Sequence, residues 1–398
     1  MINKAKKLQS EMIAWRRDIH MHPELGFEEK RTSALIAERM EEMGYRVKTG
    51  IGKTGVVAEL GEGKPVVAIR ADMDALPIQE ANDVPYKSKH DGVMHACGHD
   101  AHMTNLIGVA CYLAANQSLW KGTVMLIGQP AEERGAGARA MLEDDLFERF
   151  PKPDFAIALH VSPTLATGQI GYRPGYTMAN VDSVDITLYG KGGHGAYPHT
   201  TIDPVVEAAQ LVLALQTIVS REVDPLAPAV ITVGSIHGGT KNNIIGDTVK
   251  LQLTVRSFSD ETRQQLLSAI QHKAQAIASG AGAPVPLVEI AMGTPALFND
   301  PALSARLRPA FQNQIGGENV VLSEQTMGGE DFSRYGKAGV PILMYWLGAV
   351  SQERLDEYKA AGEQPPSLHS HLFYPDINTT LVTGISTMSS AVLELLKP

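Results

Sequence analysis

Four short, almost uninterrupted apolar runs, at 56–60, 65–71, 123–129 and 154–161, constrain this chain more than any other feature. Each is bounded by turn residues, and helix-spaced stretches at 101–116 and 136–149 lie between the last three. Strands that do not alternate must be covered on both faces, and strands separated by helices pair in parallel. The pattern therefore specifies an α/β domain: a mostly parallel sheet with helices on both faces. Two more helical patterns, at 4–19 and 30–44, precede it, and Gly44 ends the second. At 398 residues the chain exceeds one ordinary hydrophobic core, so a second domain is expected. Its pattern differs. Residues 181–189 alternate, 204–223 read as an amphipathic helix, 229–236 and 247–258 as strands, 260–280 as a helix and 284–291 as a strand. That order is β-α-β-β-α-β, an inserted ferredoxin-like α+β unit. After Pro295 helix and buried-strand patterns return, including 340–347. The expected domains are 1–178 with 295–398, and 179–294.

Chemistry-bearing residues cluster behind the apolar runs. Asp72-Met73-Asp74 ends the second, Glu132-Glu133 follows the third, and His160 closes the fourth. His95-Ala96-Cys97-Gly98-His99-Asp100-Ala101-His102 opens the helix after Ala101. In a parallel sheet the carboxyl ends of the strands share one edge, where ligands bind. A distant loop, Leu368-His369-Ser370-His371, offers another imidazole. Thiolate, imidazole and carboxylate together suit zinc or a neighbouring divalent metal. Cys97-Gly98-His99 sets two donors on one tight turn, with Gly98 letting the backbone pass close to an ion. Adjacent Glu132 and Glu133 suggest that one binds metal while the other deprotonates a water whose pKa the metal lowers to about 7. Two ions about 3.5–4 Å apart sharing one ligand would do so better. Cys111 reads as a small buried hydrophobe, Asp144-Asp145 as a solvated pair, and His102 either as a support of the site or as a residue without function.

Composition narrows the partners. Lys and Arg number 35 against 44 Asp and Glu, a net charge of −9, which argues against nucleic acid or an anionic membrane as the partner. No apolar run approaches the ~20 residues of a membrane span, and the first residues lack a signal-peptide core. Two cysteines make no disulfide framework, so a cytoplasmic location is expected.

The motifs Arg70-Ala-Asp72-Met-Asp74-Ala-Leu-Pro77, His95 to His102, Gln129-Pro-Ala-Glu132-Glu133 and Gly190-Lys-Gly-Gly-His194-Gly195 resemble the M20 metallopeptidase family. Within it they are similar to the amidohydrolase branch: aminoacylases, hippurate hydrolases and auxin-conjugate hydrolases. Gly238 to Ile245, Val255-Arg256-Ser-Phe258, Met327-Gly-Gly329-Glu330-Asp331-Phe332 and His22-Pro23-Glu24 extend the match from about residue 15 to 375. The resemblance implies two divalent ions (zinc, manganese, nickel or cobalt) held by Cys97, His99, Glu133, His160 and His369, with Cys97 as the bridge. It implies Glu132 as general base and places Asp74 among the catalytic residues. His371 stands where relatives carry proline, so His369 is favoured by register and His371 stays open as the ligand. Asn243-Ile-Ile-Gly246 departs from the usual Asn-Val-Ile-Pro, and Arg134 stands where many relatives have glycine.

The expected reaction is hydrolysis of an N-acyl amino acid to a carboxylic acid and a free amino acid; the alternative is a dipeptidase or carboxypeptidase of the same family. His194, in a glycine-rich turn that lets it project, is the candidate oxyanion donor. In the family it reaches the partner protomer's site, which implies a homodimer through the inserted domain. Arg256, on the polar face of its strand, is expected to bind the substrate α-carboxylate with Asn243, and Gly329 lies in a candidate substrate loop. A metal-stabilised binding protein is disfavoured, because such a site needs no spare glutamate beside Glu133.

Overall fold

The computed structural model describes residues 1–398. By contacts the chain divides into two compact units. One comprises Met1–Thr177, Phe298–Gln325 and Asp331–Pro398, the other Met178–Leu297 and Thr326–Glu330.

The larger unit is built on an eight-stranded sheet. Its order is Arg46–Ile51, Gly55–Glu62, Gly122–Gln129, Val66–Asp72, Phe155–Ala166, Ile342–Val350, Ile170–Tyr172 and Val320–Leu322. The four strands beginning at 122, 66, 155 and 342 run parallel in the middle, and the hairpin at 46–62 adds antiparallel edge strands. Every residue of Val66–Asp72 and Gly122–Gln129 is buried, as strands covered on both faces require. The α/β expectation with a mostly parallel sheet is met. The helix His99–Ala114 packs against Ile2–Met21 and Ile377–Leu395. Gly108 makes the last approach possible: a Cβ there would lie 2.4 Å from Ile385 Cδ1.

Three local departures have physical causes. The strand Arg46–Ile51 is mostly exposed and polar, so no apolar run announces it. The expected helix over 136–149 breaks into Gly137–Glu143 and Leu146–Arg149, with Asp145 at φ +59 and the Asp144 carboxylate drawn onto the Gly52 amide. The strand begun at Phe155 does not close at His160 but runs on to Ala166. Its pairing with Val66–Asp72 ends at Ala158, so His160 lies past the shared ladder while still paired to Trp346.

The smaller unit has a four-stranded antiparallel sheet ordered Ala229–Gly238, Thr248–Ser257, Asn180–Tyr189 and Leu287–Met292. Helices Pro204–Thr217 and Asp260–Gly280 complete a β-α-β-β-α-β order. Val249, Leu251, Leu253 and Val255 alternate inward and join Leu211, Leu215, Leu266 and Ile270 in one core. Asp203 and Ser259 cap the two helices by accepting from the Val205 and Thr262 amides. The amphipathic pattern over 204–223 ends early, because residues Ile218–Glu222 widen into a π turn. Thr326–Glu330 clusters here because the Ala179 amide donates to the carbonyls of Thr326 and Gly328. No helix is long and apolar enough to cross a membrane.

Candidate metal centre

The turn Cys97-Gly98-His99 opens the buried helix His99–Ala114. Gly98 sits at φ +82, and a Cβ there would fall 2.5 Å from Val161 Cγ2, so only glycine fits. His99 Nδ1 donates to the Asp74 carbonyl at 2.8 Å, which makes Nε2 the nitrogen open to a metal; that atom is buried without a hydrogen-bond partner. His160 Nδ1 donates to the Val161 carbonyl at 2.8 Å and turns Nε2 to 3.4 Å from Cys97 Sγ. The donor atoms of Cys97, His99 and His160 lie within 4.8 Å of one another.

After the strand Gly122–Gln129, Ala131 takes φ +48 and swings the chain into the turn Glu132–Arg134. The two Asp74 carboxylate oxygens accept from the Glu132 and Glu133 amides, each at 3.0 Å. Asp74 therefore acts on backbone: one residue orients His99 through its carbonyl and both glutamates through its side chain. Glu133 Oε2 lies 3.3 Å from His369 Nε2, and its buried Oε1 lacks a hydrogen-bond partner, 3.9 Å from His99 Nε2. Cys97, Glu133 and His369 form a second donor triad, and Glu132 joins His99 and Glu133 in a third, both within 4.8 Å. His371 is exposed and joins none of these groups.

Two triads thus share one thiol. Leaving His99 Nε2 and Glu133 Oε1 buried and unpaired would be costly. A divalent cation satisfies both, and the soft and hard donors match zinc, manganese, nickel or cobalt. The residues fit the metal that their types suggest.

Burial pushes the Cys97 thiol well above its usual range. Burial and the neighbouring His102 and His99 hold His160 well below the ordinary histidine value, so its lone pair is available at neutral pH. Burial alone would depress His99, but the Asp72 carboxylate, Cys97 and Asp74 together outweigh it and raise the ring well above normal. Without metal, Cys97 and His99 therefore each carry a proton that ligation must displace. Metal uptake near pH 7 is expected to release about two protons and to weaken as pH falls. Calorimetry in buffers of different ionisation enthalpy reads this directly, and no buffer dependence would contradict it.

His102 supports the centre without being a donor. Its Nδ1 donates to Asp72 Oδ1 at 2.6 Å, and its Nε2 accepts from the Val161 amide at 2.9 Å, so both nitrogens are used beside His160. Asp72 Oδ2 accepts from Arg70 at 2.7 Å, and Arg70 reaches on to Asp331 at 3.0 Å. Asp331 is buried and also accepts from Gln129 and the Ala138 amide, so this part of the candidate substrate loop is structural. His95 is buried, and burial pulls it down to about 3.

The remaining candidates belong to the smaller unit. His194 is exposed on a two-residue strand paired with Ile244-Ile245. Its Nδ1 accepts from the Ala196 amide at 3.0 Å, which makes Nε2 the N–H donor of the neutral ring. Asn243, exposed, accepts the Gly195 amide through its carbonyl at 2.9 Å. Arg256 uses Nε on Thr254 and Nη1 on the Met327 carbonyl, leaving Nη2. Gly329 packs on Val181, whose Cγ2 a Cβ would meet at 2.4 Å.

Sequence reasoning missed Glu29. Its buried carboxylate accepts from the Ala131 amide at 2.8 Å and from Thr54 at 2.6 Å, holding the turn that presents Glu132. The segment His22-Pro23-Glu24 was the one signal near it, and nothing in that segment says what it supports.

The family model for peptidase family M20/M25/M40 matches residues 68–361. The chain is 42% identical over 330 residues to an N-acetyl-L-cysteine deacetylase of Bacillus subtilis, spanning 82% of this chain and 78% of that protein. It is 37% identical over 357 residues to thermostable carboxypeptidase 2 of Saccharolobus solfataricus, spanning 88% and 89%. Its fold matches the crystal structure of the Bacillus subtilis YXEP protein, described as a dinuclear metal-binding peptidase of the M20 family. That match has a TM-score of 0.80 and 34% identity, and covers 98% of this chain and 99% of the other. With three-quarters of its length under the family model, the chain belongs to peptidase family M20/M25/M40.

Proposed function

We propose that the protein is a two-metal amidohydrolase that converts R-CO-NH-CHR′-COO⁻ and water into R-COO⁻ and the free amino acid. The observation that carries this reading is the pair of donor triads sharing Cys97, with the Glu132 carboxylate beside them. Cys97, His99 and His160 would hold one ion, and Cys97, Glu133 and His369 the other. Bound divalent ions supply a Lewis acid for the carbonyl and lower the pKa of water to about 7.

The protein's own residues do the rest. Glu132 takes the proton of the attacking water and returns it to the leaving nitrogen, so the amine departs neutral. Asp74 keeps Glu132 and Glu133 apart in role by fixing the backbone of both. His194 offers Nε2–H to the developing oxyanion, and Arg256, through Nη2, with Asn243 receives the α-carboxylate; Gly329 lies in the loop beside Arg256. His194→Ala is expected to lower kcat by about 10²-fold while metal content stays unchanged. A purely local turn histidine would leave kcat intact.

A deacetylase and a carboxypeptidase among the relatives make the substrate the main question. Matched N-acetyl amino acids and free-amine dipeptides, given to metal-loaded protein, separate the two. Faster turnover of the N-acyl series is expected, and preference for the dipeptides would move the assignment to the peptidase.

The same reading makes the protein a homodimer through the smaller unit. Val206 and Leu213, two turns apart on Pro204–Thr217, are 52% and 71% exposed, which suits a buried contact. Light scattering should return twice the chain mass. Two unpaired cysteines are consistent with the cytoplasm as its location.

A further inference from the structure

The N-terminal helix Ile2–Met21 sends Arg16 and His20, four residues apart, into the larger unit, where both are almost completely buried. Arg16 Nε lies 3.0 Å from Asp100 Oδ2, the residue that follows His99. His20 Nδ1 lies 2.6 Å from the same oxygen, and its Nε2 lies 3.1 Å from Glu80 Oε1. A ring with a carboxylate at each nitrogen donates from both, so His20 is an imidazolium. Two cations and two anions are thus buried together, and none of them belongs to the reaction described above.

The chain of contacts continues past Glu80. Glu80 Oε2 accepts from the Ser88 amide at 2.7 Å, and its Oε1 accepts from Asn82 at 3.2 Å. Asn82 also donates to the Phe373 carbonyl at 3.1 Å, and the Ala81 amide donates to the His371 carbonyl at 3.0 Å. These bonds hold the loop that carries His369. The His369 amide closes the circuit on the Ala96 carbonyl at 3.0 Å, next to Cys97. Thus Asp100, His20, Glu80 and Asn82 tie the turn bearing Cys97 and His99 to the loop bearing His369.

The two triads depend on this tie unequally. His99 stands on a long helix and His160 within a sheet strand, and each is fixed by its own element. His369 sits in a loop at φ +65, a left-handed conformation that a non-glycine residue keeps only when its surroundings impose it. Well-packed apolar residues often replace buried ion groups at no loss of stability, so the quartet is better explained by position than by stability.

We propose that His20 is a positioning residue for one of the two ions: through Asp100 and Glu80 it sets the His369 loop against the Cys97 turn. The inference rests on the two-ion reading of the site. The test is metal binding by the whole protein, with manganese titrated against a competing chelator. Wild type is expected to bind two ions. In His20→Gln the ion at Cys97, Glu133 and His369 should weaken about 10–100-fold, with the other little changed. His369→Ala, which removes that ion's own ligand, identifies the affected step. Asn82→Ala, which breaks only the far end of the tie, should weaken the same ion and serves if His20→Gln does not fold. Unchanged affinities overturn the inference, as does equal weakening of both ions, the result of a general loss of stability. Fewer than two ions in wild type would overturn the two-ion reading itself, and this inference with it.

Discussion

Glu132→Gln is expected to lower kcat by roughly 10²–10⁴-fold while both ions stay bound and the melting temperature hardly moves. The substitution keeps size and shape but removes the group that takes a proton. The main-chain bonds that hold the turn are untouched: the Asp74 bond to residue 132 goes to the backbone amide, and Glu29 grips the Ala131 amide. Glu133 keeps its contact with His369. Glu133→Gln, by contrast, weakens a donor and should lose metal together with activity. Steady-state kinetics beside metal analysis separates these cases. A metal-loaded Glu132→Gln protein with near-normal kcat would take Glu132 out of the proposed mechanism, because a proton acceptor used only in the transition state must show in kcat.

How far the sequence announced this site depends on distance along the chain. The central strands were legible because burial on both faces leaves a continuous apolar run, and the residues behind those runs necessarily share one sheet edge. Cys97, His99, Glu132, Glu133 and His160 follow from that rule. The supports do not, because each joins segments far apart: Glu29 meets Ala131 across 102 positions, and Arg70 meets Asp331 across 261. Direction was equally hidden. His369 and His371 are alike in type and two positions apart, and the backbone at His369, φ +65, brings its ring to Glu133. For Asp74 the residue was evident, but not that its carboxylate is directed at two amides. Thr326–Glu330 gave no sign of leaving the larger unit, since its tie is to the carbonyls of Thr326 and Gly328, which any residues carry.

Cys97→Ser is expected to cost both ions, where His160→Ala and His369→Ala each cost one. Cys97 is the only donor common to the two outer triads, so its loss opens both, whereas each histidine belongs to one. A serine hydroxyl stays protonated at neutral pH and is a harder donor than thiolate, so it neither balances charge nor suits zinc, nickel or cobalt. The drop in affinity should exceed the about 10–100-fold typical of changes outside the ligand set. Folding should survive, because sulphur-to-oxygen exchange at a buried turn alters little volume, and the strict geometric demand there lies on Gly98. Cys111→Ser supplies the control: that thiol is half-buried on the helix His99–Ala114, which follows the Cys97 turn, and joins no donor group. The measurement is metal per chain at fixed free metal, for all four variants. A Cys97→Ser protein that still holds the ion lost in His369→Ala would show that the thiol serves one ion only. The carboxylate of Glu133 or Glu132 would then have to bridge, and the division of labour between the two glutamates would need to be drawn again.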